Sequence, residues 1–135
     1  MAKETGIPVT TLSVDDSAGV LRAILGDITN FTLATPRPDQ DVTGLDKSAR
    51  ERLLLLADFS ISLNGVFNDA VNQAHSVFKT VPSTSVARTV SLNVSGQTLS
   101  NECFFSDYSL VRAASGELTW TAPGALSDGT VPTWS

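Results

Sequence analysis

A two-residue rhythm constrains this chain more than any other feature. From Asp58 to Asn64, the apolar Phe59, Ile61 and Leu63 alternate with Asp58, Ser60, Ser62 and Asn64. From Val86 to Val94 the pattern returns, with Val90, Leu92 and Val94 set against Thr89, Ser91 and Asn93. A period of two sends each set to its own face of an extended strand, whereas a helix would spread both sets around its axis. Such segments are satisfied as half-buried strands with one face in a core and the other in water. The polar partners are mostly small hydroxyls. The chain holds 16 Ser and 15 Thr among 135 residues. Charged residues make up only 17%, below the ~25% of an average soluble domain.

The rest of the chain fits around these strands. Thr10 to Asp16 alternates, Asp16-Ser17-Ala18-Gly19 reads as a turn, and Val20 to Leu25 resumes, so the first segment is a hairpin. Gly26-Asp27 breaks it, and Ile28 to Ala34 is a third extended piece. Residues 35–56 then change character. Two prolines, a glycine and several charges fall between Thr35 and Gly44, which predicts a long, irregular, exposed connection. The sequence leaves open whether the run from Lys47 through Leu56 is a helical turn or the lead-in to a strand. Asn64-Gly65 is read as the end of the next strand. Asn68 is a good N-cap, Lys79 suits a last turn, and Val71, Ala74, His75 and Phe78 fall on one helical stripe. Pro82 marks the stop.

Ser95-Gly96 is a two-residue hairpin signal. It sets Leu92 opposite Leu99, Asn93 opposite Thr98, Ser91 opposite Ser100 and Thr89 opposite Glu102. Asn101 and Phe104 break the alternation, as a bulge or an interface would. Ser106 to Ala113 continues as strand, Ser115-Gly116 turns, and Glu117 to Ala122 pairs back with Leu118 and Trp120 inward. Residues 123–135 have no period. The expected architecture is mainly β: one domain over residues 1–135, an antiparallel β-sandwich or small barrel with one flanking α-helix.

Composition excludes several functions. A net charge of −5 argues against binding that works by neutralising phosphates. No apolar run approaches the ~20 residues of a membrane span. Met1 to Gly6 lacks the apolar stretch of a signal peptide, which predicts synthesis in the cytoplasm. A single cysteine, Cys103, allows no intrachain disulfide, and a single histidine, His75, anchors no Cys/His zinc site. His75 on an apolar stripe reads as a packed residue, Cys103 beside two phenylalanines as a buried thiol, and Asp15-Asp16 as a turn. No nucleophile elbow, phosphate loop or metal cluster is present, so no catalytic residue, metal or cofactor is expected.

Two features point to other chains. The tail ends in Val131-Pro132-Thr133-Trp134, and Trp134 either folds back on its own domain or docks on another. The polar strand faces carry Ser, Thr and Asn in place of the Lys and Glu that usually guard exposed strands. They are either ordinary solvent faces or surfaces open to pairing.

The sequence resembles the major tail tube proteins of long-tailed bacteriophages and phage-derived particles. The resemblance is carried by Ser13-Val14-Asp15-Asp16-Ser17-Ala18-Gly19, Asp27-Ile28-Thr29-Asn30 and Asp41-Val42-Thr43-Gly44. It continues through Asp58-Phe59-Ser60-Ile61-Ser62-Leu63-Asn64-Gly65-Val66-Phe67-Asn68, Ala74-His75 and Gly116-Glu117-Leu118-Thr119-Trp120. It closes with Ser127-Asp128-Gly129-Thr130-Val131-Pro132-Thr133-Trp134. The order and spacing of these segments are more specific than any one of them.

The resemblance implies hexameric rings that stack into a hollow tube around a tape-measure protein. The tube joins a tail terminator and tip proteins, and genomic DNA passes only in transit. It implies residence in the virion tail after assembly in the host cytoplasm, with no membrane contact. Residues 35–56 would be the stacking loop and 123–135 a C-terminal arm. With the alternation, this makes Asp58, Ser60, Ser62, Thr89, Ser91, Asn93, Thr98, Ser100 and Glu102 the candidates to face the lumen. Asp41, Val42, Thr43, Gly44, Lys47, Arg50, Arg52 and Trp134 are the candidates for contacts between rings. The competing readings are a tail terminator or connector ring of related fold, and a monomeric β-sandwich binding module.

Overall fold

A computed structural model describes Lys3, residues 5–7 and residues 9–135. Met1, Ala2 and Glu4, read above for a leader peptide, lie outside those residues, as does Pro8. The strands are β1 (Val9–Asp15), β2 (Leu21–Ala23), β3 (Ile28–Ala34), β4 (Asp39–Asp41), β5 (Arg52–Leu54), β6 (Ser60–Val66), β7 (Arg88–Val94), β8 (Gln97–Phe105), β9 (Ser109–Arg112) and β10 (Leu118–Leu126). One short helix, α1, spans Ala74–Phe78. The main sheet runs β2-β1-β7-β8-β10-β6-β3, with β9 beside β10, while β4 and β5 form a separate ribbon.

The order of the sheet dictates its curvature. β2 and β3 lie at opposite ends, yet only Ile24 to Asp27 connect them. Laid flat, six strand spacings of ~4.8 Å would hold the ends roughly 29 Å apart. Five backbone steps reach at most about 18 Å. The sheet must therefore curl until its ends approach one another, which gives the expected sandwich or barrel. The apolar half of every alternating strand lies inside the curl: Leu12, Val14, Ile61, Leu63, Val90, Leu92, Leu99 and Trp120 are all buried, with Ala74, Val77 and Phe78 of α1 against them. Phe78 sits edge-on to Phe105 at 5.1 Å between ring centroids and lies the same distance from Trp120.

The β7–β8 hairpin has the expected register, Thr89↔Glu102, Ser91↔Ser100, Leu92↔Leu99 and Asn93↔Thr98. Its turn residues Ser95 (φ 51°) and Gly96 (φ 81°) are both left-handed, which suits the twist of paired strands. No bulge interrupts β8. The pleat sends Asn101 inward, where its side-chain amide nitrogen finds no partner among the described residues, and leaves Phe104 outward.

Several expectations are corrected. The stripe from Asn68 to Lys79 is helical only from Ala74 to Phe78, and Val71 is exposed. Asn72 has φ 65°, a conformation that a right-handed helix cannot contain. The Asn68 carboxamide accepts the Ala70 N–H at 3.0 Å, an Asx turn that competes with helix. The cap comes from elsewhere: Asp27, in a 3₁₀ turn over Leu25–Asp27, accepts the Ala74 N–H at 3.0 Å and the Asn68 side-chain N–H at 2.8 Å.

Gly65 does not end its strand, which continues to Val66. It is a glycine because a Cβ there would stand 2.0 Å from the Asp27 carbonyl oxygen and 2.8 Å from the Trp120 ring. The strand predicted over Ser106 to Ala113 starts only at Ser109. Pro123 to Leu126 is not part of a free arm but the second half of β10. Pro123 is tolerated because it lies where β10 passes from β9 to β8. Its carbonyl accepts the Ser106 N–H at 3.3 Å, and its missing N–H costs no ladder bond there. Residues 35–56 are not irregular throughout, since they contain the β4–β5 ribbon in the register Asp39↔Leu54, Gln40↔Leu53 and Asp41↔Arg52.

Two polar groups tie the layers. Arg88 is 1% exposed. It donates to the Asp15 and Val77 carbonyls at 3.0 Å and to the Thr80 hydroxyl at 2.8 Å, joining β7 to β1 and to the end of α1. Burial pushes its basicity down, and the charges of Asp16 and Asp15 oppose that. In the β1–β2 turn, Asp16 accepts the Ala18 and Val20 N–H groups at 2.9 and 3.0 Å and pairs with Arg22 at 3.0 Å. Partial desolvation raises the Asp16 carboxyl, but these hydrogen bonds and the Arg22 charge outweigh it and hold the group below its usual value.

Two outcomes test this account. Gly65→Ala should cost about 3 kcal/mol by overpacking, read as a lower urea midpoint at unchanged slope. Asp16 is held below 3.8 in the fold, so its contribution is full above that value and fades as pH falls through the folded pKa. Asp16→Asn should therefore be less stable than the parent at pH 7 and equal to it in strong acid, as followed by thermal melting across pH.

Candidate functional site

The outer face of the curled sheet gathers most of the residues singled out from sequence. Ser60 and Ser62 (β6), Thr89, Ser91 and Asn93 (β7), and Thr98, Ser100 and Glu102 (β8) all point away from the core. Only β10 lies between β8 and β6, so these residues share one face of four consecutive strands. Asp58 is exposed but precedes β6, and its carboxylate accepts the Phe59 N–H at 2.8 Å.

Pairs across the β7–β8 hairpin fix the side chains. The Asn93 amide donates to the Thr98 hydroxyl at 3.0 Å and accepts from the Thr10 hydroxyl at 2.9 Å, while Thr89 donates to Glu102. Strand β10 adds Thr119, Thr121, Pro123 and Ala125 to the face, which the sequence reading missed. Thr121 donates to Asn64 at 2.7 Å, and Asn64 donates to Asn30 at 2.7 Å, so an amide–hydroxyl row crosses β10, β6 and β3. None of these outward residues is Lys or Arg.

At the sheet's end, β3 pairs among the described residues only with β6, and its seven residues Ile28–Ala34 carry no charge. An edge of that kind has none of the usual guards against pairing with another chain.

The β4–β5 ribbon collects the residues expected to touch other rings. Asp41 accepts the Thr43 hydroxyl at 2.6 Å, the Thr43 N–H at 3.0 Å and Arg50 at 2.6 Å, and the Thr43 bonds with Arg50 hold its carboxyl below its usual value. Arg52 lies 3.6 Å from Asp39, and Lys47 lies 3.9 Å from Glu51. Val42 donates its N–H to the Glu51 carbonyl at 2.9 Å, and the Gly44 carbonyl accepts the Lys47 N–H at 3.1 Å. Asp41, Val42, Thr43, Gly44, Lys47, Arg50 and Arg52 therefore form one cross-braced tip. Leu53 to Leu56, inside the expected stacking loop but not among the contact candidates, follow the tip and are all exposed. The signal was the apolar run itself, whose exposure no periodicity reveals.

Trp134 lies apart from that tip. The chain leaves β10 along β8, with the Ser127 N–H on the Glu102 carbonyl at 3.0 Å. It returns at Ser135, which exchanges two backbone bonds with Thr98 at 2.8 and 2.9 Å. Trp134 rests beside Val94, Ser95 and Gln97 and stays 46% exposed. The tail is thus laid back along its own sheet.

The groups weighed for chemistry are otherwise engaged. His75 Nδ1 lies 3.1 Å from the Tyr108 hydroxyl, and its ring stacks at a tilt on Phe67, 4.7 Å between centroids. Cys103 is buried, and burial, with Glu102 and Asp128 adding to it, pushes its thiol up to about 12. Among the described residues no group of three or more His, Cys, Asp or Glu side chains is placed to hold a metal ion. No helix among the described residues is long and apolar enough to cross a membrane.

No family model and no curated protein matches the chain. Solved structures do match it over nearly its whole length. One is a chain from the tail of an empty gene transfer agent (GTA) particle, computed with helical refinement in C6 symmetry. Its TM-score is 0.73 at 17% identity, covering 98% of both chains. Another comes from the virion of a native gene transfer agent particle, with TM-score 0.70 at 15% identity, covering 98% of this chain and 99% of that one. The chain shares the fold of these tail-particle components.

The buried thiol gives a direct test of the core. A thiol held near pKa 12 presents almost no thiolate at neutral pH. A polar maleimide should leave Cys103 unlabelled in the folded chain and label it fully in denaturant, as read by intact mass.

Proposed function

We propose that this chain is a structural subunit of a phage-like tail, forming hexameric rings that stack into a hollow tube for genome delivery to the host. The observation that carries the reading is the fold match over 98% of the chain to a tail chain refined in C6 symmetry. The physical features agree with it. The uncharged β3 edge suits pairing between neighbouring subunits, which would remove the edge from solvent. The outer face of β7, β8, β10 and β6 offers hydroxyls, amides and Glu102 without a cation. A lumen so lined would let DNA slide, whereas Lys or Arg would hold phosphates.

On this reading Asp58, Ser60, Ser62, Thr89, Ser91, Asn93, Thr98, Ser100 and Glu102 face the lumen. The ribbon and the residues after β10 bridge successive rings, with Trp134 released from its own sheet. The other partners are a tape-measure protein, a tail terminator and tip proteins. The single domain assembles in the host cytoplasm and resides in the virion tail.

Negative-stain electron microscopy of the purified protein tests this. Long tubes with a central channel are the expected result. Isolated rings alone would point to a terminator or connector, and compact monomers alone to a binding module. Deleting Asp128 to Ser135, or replacing Asp41 to Arg52 by a short Gly/Ser linker, should abolish tubes while the subunit still melts cooperatively. Replacing Ser60, Ser91 and Glu102 by Lys should spare assembly and slow genome delivery. Normal tubes in both truncated variants, or undiminished delivery in the Lys variant, would count against these roles.

A further inference from the structure

We propose that the β4–β5 ribbon is gripped on both faces at once by two other copies of this chain, rather than laid on a single surface. The inference rests on the tail reading above and specifies how that contact is built. Successive side chains of an extended strand alternate between its two faces. In β5 and its continuation, Leu54 and Leu56 share one face and Leu53 and Leu55 the other. A ribbon packed on its own domain would hide one of these pairs. Here Leu54 and Leu56 are 61% and 87% exposed, and Leu53 and Leu55 are 57% and 43% exposed. The pairing continues past β5, with the Leu55 N–H on the Pro38 carbonyl at 2.7 Å, so the leucines are held at fixed angles. A lone two-stranded ribbon is marginal in water, and one partner surface covers only one of its faces.

Charge identifies the occupant. Residues 35–56 carry four cations (Arg37, Lys47, Arg50, Arg52) and four carboxylates (Asp39, Asp41, Asp46, Glu51), so the ribbon is neutral while the whole chain is −5. Three ion pairs satisfy most of these charges internally. A nucleic acid or an anionic membrane would find no net charge to hold. An acidic copy of this chain would meet no repulsion. Each copy also exposes aliphatic side chains against which the leucines would pack, among them Val20 and Leu21 at the β2 end of the sheet, and Leu110 and Val111 on opposite faces of β9.

Hydroxyl-radical footprinting of the unsubstituted chain, read residue by residue by mass spectrometry before and after tube formation, tests the proposal. Leu53, Leu54, Leu55 and Leu56 should all be oxidised in free subunits and all lose that labelling in tubes. Val20, Leu21, Leu110 and Val111 should lose it with them. Leu53→Asp and Leu54→Asp, on opposite faces, should each abolish tubes while leaving the melting curve of the subunit unchanged. Tubes in which one leucine pair stays labelled, or in which only one Asp variant blocks assembly, would overturn the two-faced grip and leave the tail reading intact. An unsubstituted chain that forms no tubes would overturn the tail reading itself, and the inference with it.

Discussion

The short link from Ile24 to Asp27 holds together what the strand order would spread apart. It joins the two ends of a seven-strand path, so the sheet can satisfy its hydrogen bonds only by curling. Asp27 then uses every part of itself at that closure. Its carboxylate caps α1 and holds Asn68, and its carbonyl lies so close to Gly65 that no side chain fits between them. The helix is short and poorly nucleated by its own sequence, and it persists because a carboxylate some 47 residues earlier completes its first turn. Arg88 closes the other end of the same layer by taking the Val77 carbonyl near the end of α1.

This closure separates the molecule into a rigid body and exposed appendages. The curl gives the body one apolar interior and one outer face whose side chains are short, hydroxylated or amide-bearing. Its polar groups satisfy each other across strands, as in the Thr121–Asn64–Asn30 row, and leave few long charged groups. The ribbon and the residues after β10 lack any such interior. The ribbon is stiffened by ion pairs at its tip but keeps its leucines in water. The tail is held against β8 chiefly at its two ends. Apolar surface on appendages of a well-packed body is the signature of contacts that form between molecules.

Much of this was legible in the residues. The β7–β8 register followed from Ser95-Gly96 and two alternation patterns, because a turn of fixed length leaves only one register that keeps both apolar faces inside. The buried Trp120 followed from the alternation of its own strand, and the buried Cys103 from its place beside two phenylalanines. Other features were not. Gly65 looked like a turn because glycine marks both turns and close approaches, and only the neighbours tell them apart. Arg88 gave no sign of burial, since its three acceptors come from β1, the end of α1 and Thr80. The helical stripe was real for Ala74, His75 and Phe78 but was overextended, because nothing in periodicity registers the left-handed Asn72.

The sequence by itself determined most local conformations: where the alternating strands lie, which side of each is apolar, and the turns at Asp16–Gly19, Ser95-Gly96 and Ser115-Gly116. These are decided by spacing and turn chemistry within a few residues. Only the tertiary structure decided that the sheet curls on itself, that Pro123 to Leu126 continue β10, and that the leucines after Arg52 lie bare on both sides of a ribbon. Each of those depends on which distant strand arrives alongside, and pairing partners far apart in the chain are chosen by the closure of the whole sheet.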